Sequence, residues 1–243
     1  GILPIVIISG RGKQCRVRDS LIKIKAGPDS SLHCRCEDRR GTGGASRSNP
    51  ARPPGDLRRI VDEFSKFARM PEPDRKTHEL AKLVSDAVVL QRLGQPDVDI
   101  KLAGIDDTLM AEFDDTMISQ AMTNLIKNAG EAIETLIKKG APDNLVPQIV
   151  VEVAKDEGQA CITIADNGIG LPEDRARLFE PYVTTRSEGT GLGLPIVKKI
   201  IEEHGGILQL HNAPVFDGQN HFGALAVVQL PLSPTDLSAA NNK

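Results

Sequence analysis

The stretch from Thr116 to Lys139 limits the fold more than any other part of the chain. Ile118, Ala121, Met122, Leu125, Ile126, Ala129, Ala132, Ile133, Leu136 and Ile137 recur at three- and four-residue steps, so they line one broad face of an α-helix. Gly140 and Pro142 stop it. Asn124 and Asn128 fall one turn apart at the border of that face. If the apolar face packs on a sheet, the two amides stand at the rim of a cleft. An amide oxygen there suits a hard cation such as Mg²⁺, which takes oxygen ligands and keeps several waters. Two solvated amides at a helix edge are the plainer alternative, and the stretch alone leaves both open.

The second half of the chain supplies a sheet. Gln148–Ala154 and Gln159–Ala165 read as strands joined at Asp156-Glu157-Gly158, and the second runs directly into Asp166-Asn167-Gly168-Ile169-Gly170. Glycines after a strand let backbone approach a ligand closely, and an Asp there can accept a hydrogen bond from an exocyclic amine. A simple Asp-containing turn accounts for the same residues. Further on, Gly189-Thr190-Gly191-Leu192-Gly193-Leu194 precedes Pro195 and a helix through His204, which suits a helix N-terminus open to anions. The spacing is neither the dinucleotide fingerprint nor a Walker A loop, since no Gly-Lys-Ser/Thr follows. Gly205-Gly206 caps that helix; strands at Ile207–His211 and Gly223–Leu230 follow.

Upstream, Asp56 can cap a short helix bearing Leu57, Ile60, Val61, Phe64, Phe67 and Ala68, ended by Met70-Pro71-Glu72-Pro73. Its stripe packs either on its own domain or in an intermolecular bundle. A second amphipathic helix is expected over Thr77–Gln91, then strands at Val98–Leu102 and Leu109–Phe113 with a hairpin turn at Gly104–Thr108. Residues 1–55 differ from the rest: 11 Lys+Arg against 4 Asp+Glu, with clustered Gly and Pro, read as a loosely ordered basic segment without a recognisable motif. It has no aromatic residue to stack on bases, so no nucleic-acid partner is expected. His33, Cys34 and Cys36, with Cys15, fall short of a zinc site by spacing. Four cysteines make no disulfide framework, which points to a reducing, cytoplasmic compartment, and no apolar run is long enough to cross a bilayer.

Four motifs in this order resemble the ATP-binding catalytic domain of sensor histidine kinases, within the wider gyrase/Hsp90/kinase/MutL superfamily. Asn-Leu-Ile-Lys-Asn-Ala-Gly-Glu-Ala at 124–132 resembles the N box and Asp-Asn-Gly-Ile-Gly-Leu-Pro at 166–172 the first glycine box. Leu-Phe-Glu-Pro-Tyr-Val-Thr-Thr-Arg at 178–186 resembles the F box, and Gly-Thr-Gly-Leu-Gly-Leu at 189–194 the second glycine box. Val-Asp-Glu-Phe-Ser-Lys-Phe-Ala-Arg-Met-Pro at 61–71 is similar to the end of the dimerisation domain in the nitrogen-regulation, NtrY-type branch. The resemblance implies a two-layer α/β sandwich (the Bergerat ATP-binding fold) at 74–232, after the end of a dimerisation helix and linker at 56–73 and before a flexible tail at 233–243.

By the same resemblance the cofactors are ATP and Mg²⁺. Asp166 holds the adenine amine, Asn128 binds the metal, and Asn124 assists near the phosphates, the two asparagines forming the catalytic pair. Gly168 and Gly170 admit base and sugar, and Leu171–Gly189 is a mobile lid anchored by Phe179. Arg186 and the amides of Gly191 and Gly193 face the phosphates, with Thr185, Gly189, Thr190, Leu192 and Leu194 completing the binding set. The implied reaction is transfer of the γ-phosphoryl group to a histidine in two-component signalling. Hydrolysing relatives carry a Glu where this chain has Asn124, and an amide cannot take a proton from water. The implied partners are a response regulator, reached through a phosphohistidine domain, and a second copy paired through the 56–70 helix. The parent protein is expected in the inner membrane, with this domain in the cytoplasm. The phosphoacceptor box itself has no match: His78-Glu79-Leu80 follows the Phe-Ala-Arg-Met-Pro stretch instead of preceding it, and His33, His204, His211 and His221 lack its setting. Self-phosphorylation is therefore not expected, and a non-catalytic nucleotide-binding module is the alternative.

Overall fold

The structure, a computed structural model, describes residues 70–105, 109–142, 144–156, 158–183, 190–216 and 222–232, together with the backbone of 6–9, 14–17 and 20–23. The chain divides into two units, Gly1–Lys66 and Phe67–Lys243. In the first, β1 (Val6–Ser9), β2 (Gln14–Val17) and β3 (Ser20–Lys23) form an antiparallel meander in that order. β2, Gln-Cys-Arg-Val, alternates polar and apolar residues over only four positions and is paired on both edges, with β1 and β3. The helix expected at 56–70 lies outside the described residues, apart from Met70, and so does the tail at 233–243.

The second unit runs β4 (Lys76–Glu79), α1 (Leu80–Gly94), β5 (Asp99–Ile105), β6 (Met110–Phe113), α2 (Asp115–Lys138), β7 (Gln148–Asp156), β8 (Gln159–Asp166), a 3₁₀ turn at Ala176–Phe179, α3 (Gly193–Glu203), β9 (Ile207–Asn212) and β10 (Ala224–Pro231). Five strands make one mixed sheet in the order β5-β7-β8-β10-β9, with β5 and β7 parallel and the other pairs antiparallel. Alternate residues of the central strands turn toward the helices: Ile149, Val151 and Val153 on β7, Ala160, Ile162 and Ile164 on β8, Ala226, Val228 and Leu230 on β10. They share one core with Val84 and Val88 of α1, Ile118, Met122 and Ile126 of α2, and Val197 and Ile200 of α3. This is the two-layer α/β sandwich that the motifs imply. Each Val, Leu, Ile or Met among them, fully buried, contributes about 1.5–3 kcal/mol.

α2 begins where Asp114 caps it. The Oδ1 atom accepts from the Met117 N–H at 3.0 Å, while Asp115 and Lys138 complement the helix dipole at either end. α3 ends in a Schellman turn: Gly205, at φ +71°, donates to Glu202 O and Gly206 donates to Ile201 O, both at 2.9 Å.

Two local expectations fail. The helix expected from Thr77 starts at Leu80, because Lys76–Glu79 pairs antiparallel with β6 and the Leu80 N–H closes on Leu109 O at 3.0 Å. Nor do the strands flanking Gly104–Thr108 make a hairpin. β5 lies parallel to β7 in the large sheet, whereas β6 pairs with β4. A short polar strand takes its structure from its partner, so neither outcome follows from local pattern.

Candidate functional site

α2 is the floor on which the motifs meet. Its wide apolar face is buried against the sheet, which leaves Asn124 and Asn128 partly buried at the margin. The second glycine box arrives at Asn128: a Cβ built on Gly193 would stand 3.7 Å from Asn128 Nδ2 and 3.8 Å from Oδ1. Gly193 is also the first residue of α3, whose N-cap, Leu192, offers no side-chain hydrogen bond. Leu192 is wholly buried and Leu194 packs on the core, so any ligand contact from these two falls to backbone.

The first glycine box arrives one turn further along α2. A Cβ on Gly168 would lie 2.6 Å from Ala132 C and from Ile133 N, and the Ile169 N–H donates to Ala132 O at 3.2 Å. The missing side chain of Gly168 thus faces the helix backbone. From Asn128 to Ala132 is about 6 Å along the axis. A Cβ on Gly170, at φ +78°, would lie 2.7 Å from Phe222 O, and Gly223 comes so close to the Asp166 carbonyl that a Cβ there is excluded. Asp166 itself is 4% exposed at the end of β8. Its Oδ1 accepts from the Gly168 N–H at 2.8 Å and the Ala224 N–H at 3.3 Å.

The segment after the first glycine box is pinned at three places. Arg175 donates to Asn212 Oδ1 of β9 at 2.8 Å, Lys198 of α3 holds its ammonium 5.1 Å from the centre of the Phe179 ring, and the Tyr182 N–H donates to Gly191 O at 3.1 Å. Tyr182 has φ +65°, and a Cβ on Gly191 would strike the Tyr182 backbone at 2.7 Å, so Gly191 is required by this crossing. Thr190 is partly buried; Thr185, Arg186 and Gly189 lie outside the described residues. Beside Arg175, His211 is held below the ordinary imidazole range, first by burial and then by the guanidinium charge.

At the opposite end of α3, buried His204 donates from Nδ1 to Ile200 O at 2.7 Å and accepts the Asp114 N–H at Nε2, 3.0 Å away. Asp114 Oδ2 accepts from the Asp74 N–H at 3.0 Å, and Arg75 donates to Glu203 O. Burial pushes the Asp114 carboxyl up, but the amides of Met117 and Asp74, the His204 ring and the Thr116 amide outweigh it and hold it below the ordinary value.

Among the described residues no three His, Cys, Asp or Glu side chains gather to hold a metal. The donors at hand are instead amide oxygens on α2 and backbone N–H groups at α3. That set fits Mg²⁺ arriving on phosphate oxygens with most of its waters, and not a protein-built cage. An open groove of about 460 Å³, lined by Arg92, Asp97, Asp99, Val146 and Pro147 among others, shares no residue with the four motifs. Its two carboxylates are unsuited to phosphates, which leaves the α2 margin as the candidate. Sequence reading missed Asn167, Lys198, Asn212 and Gly223; for Gly223 the one available signal was a glycine directly before a strand.

A mixed sheet under three helices, with two glycine loops meeting a helix that carries paired asparagines, defines a nucleotide-binding domain of the ATPase and kinase superfamily. Residues 113–234 match the family described as histidine kinase-, DNA gyrase B- and HSP90-like ATPases, and the chain belongs to it. Over 161 residues it is 46% identical to the nitrogen regulation protein NtrY of Azorhizobium caulinodans, covering 66% of this chain and 20% of that protein. Over 188 residues it is 36% identical to an NtrY-like sensor histidine kinase of Rickettsia felis, covering 77% and 29%. The chain thus spans well under a third of the length of these relatives. Among solved structures, the catalytic domain of the histidine kinase ThkA superposes with a TM-score of 0.53 at 26% identity, covering 67% of this chain and 98% of that one. The matched part of the chain is an ATP-binding domain of the sensor-histidine-kinase type.

Proposed function

We propose that residues 74–232 bind Mg-ATP at the α2 margin and present its γ-phosphoryl group to a histidine on a separate domain, within nitrogen-regulation signalling. The observation that carries this is the arrival of both glycine boxes on one helix, one turn apart, the second at Asn128 and the first at Ala132. Asn128 would hold Mg²⁺ through its amide oxygen, with Asn124 one turn earlier toward the phosphates. The metal, when bound, neutralises charge on the β- and γ-phosphates. Asp166 accepts the adenine amine, while the backbone N–H groups of Gly191 and Gly193, with Arg186, Thr185, Gly189 and Thr190, face the phosphates. Asn124 cannot serve as a base toward water, so the site positions ATP for transfer and leaves hydrolysis slow. The acceptor's phosphate then passes to a response regulator; the 56–70 helix pairs two copies, and the parent protein is membrane-anchored with this domain on the cytoplasmic side.

Asn128→Ala tests the metal role. Losing an oxygen partner of a charged group costs about 1.5–3 kcal/mol, so Mg²⁺-dependent ATP affinity should fall roughly 10–150-fold by calorimetry. Unchanged Mg²⁺ dependence refutes it. A second reading, a nucleotide-binding module without transfer, is favoured by the missing phosphoacceptor box. Adding an intact dimerisation domain from an NtrY-type relative separates the two: phosphohistidine on that domain supports transfer, and ATP binding without it supports the module.

A further inference from the structure

Asn167 stands between Asp166 and the glycine that touches α2, yet has no task in the function proposed above. It is 1% exposed, and its side chain leaves its own turn. Oδ1 accepts from the Gln148 N–H at 2.9 Å, Nδ2 donates to Val146 O at 2.7 Å, and the Asn167 backbone N–H donates to Gln148 O at 3.3 Å. A flipped amide would set donor against donor and oxygen against oxygen, so the assignment is chemically fixed. In an Asx turn this residue would bond its own following backbone. Here it bonds the entry of β7, 19 and 21 residues back.

We propose that Asn167 is a positioning residue for base recognition. It clamps the turn carrying Asp166 to the start of β7 and so fixes the angle at which the carboxylate meets an adenine amine. The inference rests on the reading of Asp166 given above. Gly168 and Gly170 flank the turn and give its backbone two soft points; Gly168 packs against α2, and Asp166 Oδ1 takes the Gly168 and Ala224 N–H groups, so the turn is held toward α2 and β10. Asn167 supplies the restraint on the other side. Hydrogen bonds weaken steeply with misalignment, so a carboxylate free to swing loses selectivity before it loses all binding. A site that bonds a specific amine also rejects the analogue lacking it.

The test compares ATP with ITP, which carries an oxygen in place of the amine, by calorimetry on the full chain with Mg²⁺, with thermal melts alongside. Wild type should prefer ATP by about 5–150-fold. In Asn167→Asp, which keeps the acceptor and removes the donor, ATP should weaken until most of that preference is gone, with ITP affinity changed by no more than about twofold. Equal weakening of both nucleotides, or a lower melting temperature with the preference intact, is what a merely structural clasp gives and overturns the proposal. If Asn167→Asp does not fold, Gln148→Pro decides: it removes the N–H given to Asn167 and, besides that, an exposed 3.4 Å side-chain bond to Asp99, at a strand's first residue, where proline is tolerated. Preference kept in these variants but lost in Asp166→Ala sinks the role of Asn167 alone. No preference in wild type, with Asp166→Ala equal to it, removes the reading of Asp166 and this proposal together.

Discussion

Gly168→Ala tests the closest approach in the site. The added methyl would meet Ala132 C and Ile133 N at 2.6 Å and Ala132 Cβ at 2.9 Å. Neither partner can yield cheaply, because both are helix backbone inside α2. The loop must lift by roughly an ångström to restore ordinary contact distances. Overpacking of this kind costs about 1–3 kcal/mol. The lift also stretches the 3.2 Å bond from the Ile169 N–H to Ala132 O, whose loss adds about 0.5–1.5 kcal/mol. The expected destabilisation is thus about 1.5–4.5 kcal/mol, read by urea unfolding, with weakened ATP binding because Asp166 moves with the loop. Gly94→Ala is the matched control: nothing lies within 4 Å of its Cβ position, and it ends α1 without a positive φ. It should be neutral or gain about 0.4–1 kcal/mol. If Gly168→Ala unfolds and binds ATP as wild type does, the loop is not seated on the helix and the account of the site fails.

Two further outcomes follow from the electrostatics. Asp114→Ala should cost about 0.5–2 kcal/mol through the lost cap. Because its folded carboxyl titrates below the ordinary 3.8, that stability is present above this value and disappears as pH falls through the lower folded value. Wild type and variant should therefore converge in acid unfolding; parallel stability curves down to full protonation would contradict the cap. Arg175→Ala should let the His211 imidazole rise toward its ordinary range in an NMR titration, though not all the way, since burial is the larger cause. An unmoved titration would mean that the guanidinium is not held near β9.

α2 was legible because ten apolar residues keep helical spacing from Ile118 to Ile137, more than five turns, and a pattern that long outvotes local noise. The β7–β8 and β9–β10 pairs were legible for the same reason at period two. β4 was not: Thr77, His78 and Glu79 run without a breaker into the apolar spacing of α1, and only the pairing with β6 draws them into a strand. Nor was the fate of Gly104, since the partner of β5 is a parallel strand more than 40 residues on, which no local turn signal announces. Asparagines at 124 and 128 could be placed on a helix margin from periodicity alone. What reaches them could not, because it depends on the glycines at 168 and 193 meeting that helix from separate loops. Asn167 read as turn punctuation because its partners lie about twenty residues away.

The crossing of Tyr182 over Gly191 gives the intervening stretch the character of a cassette. A loop whose two ends are fastened to each other has already met its closure cost, and each doubling of its length adds only about 0.6 kcal/mol. Residues between the two fasteners can thus change in number and kind while α3 keeps its place beside Asn128. Substitutions confined to that stretch should leave the approach of Gly193 to Asn128 unchanged.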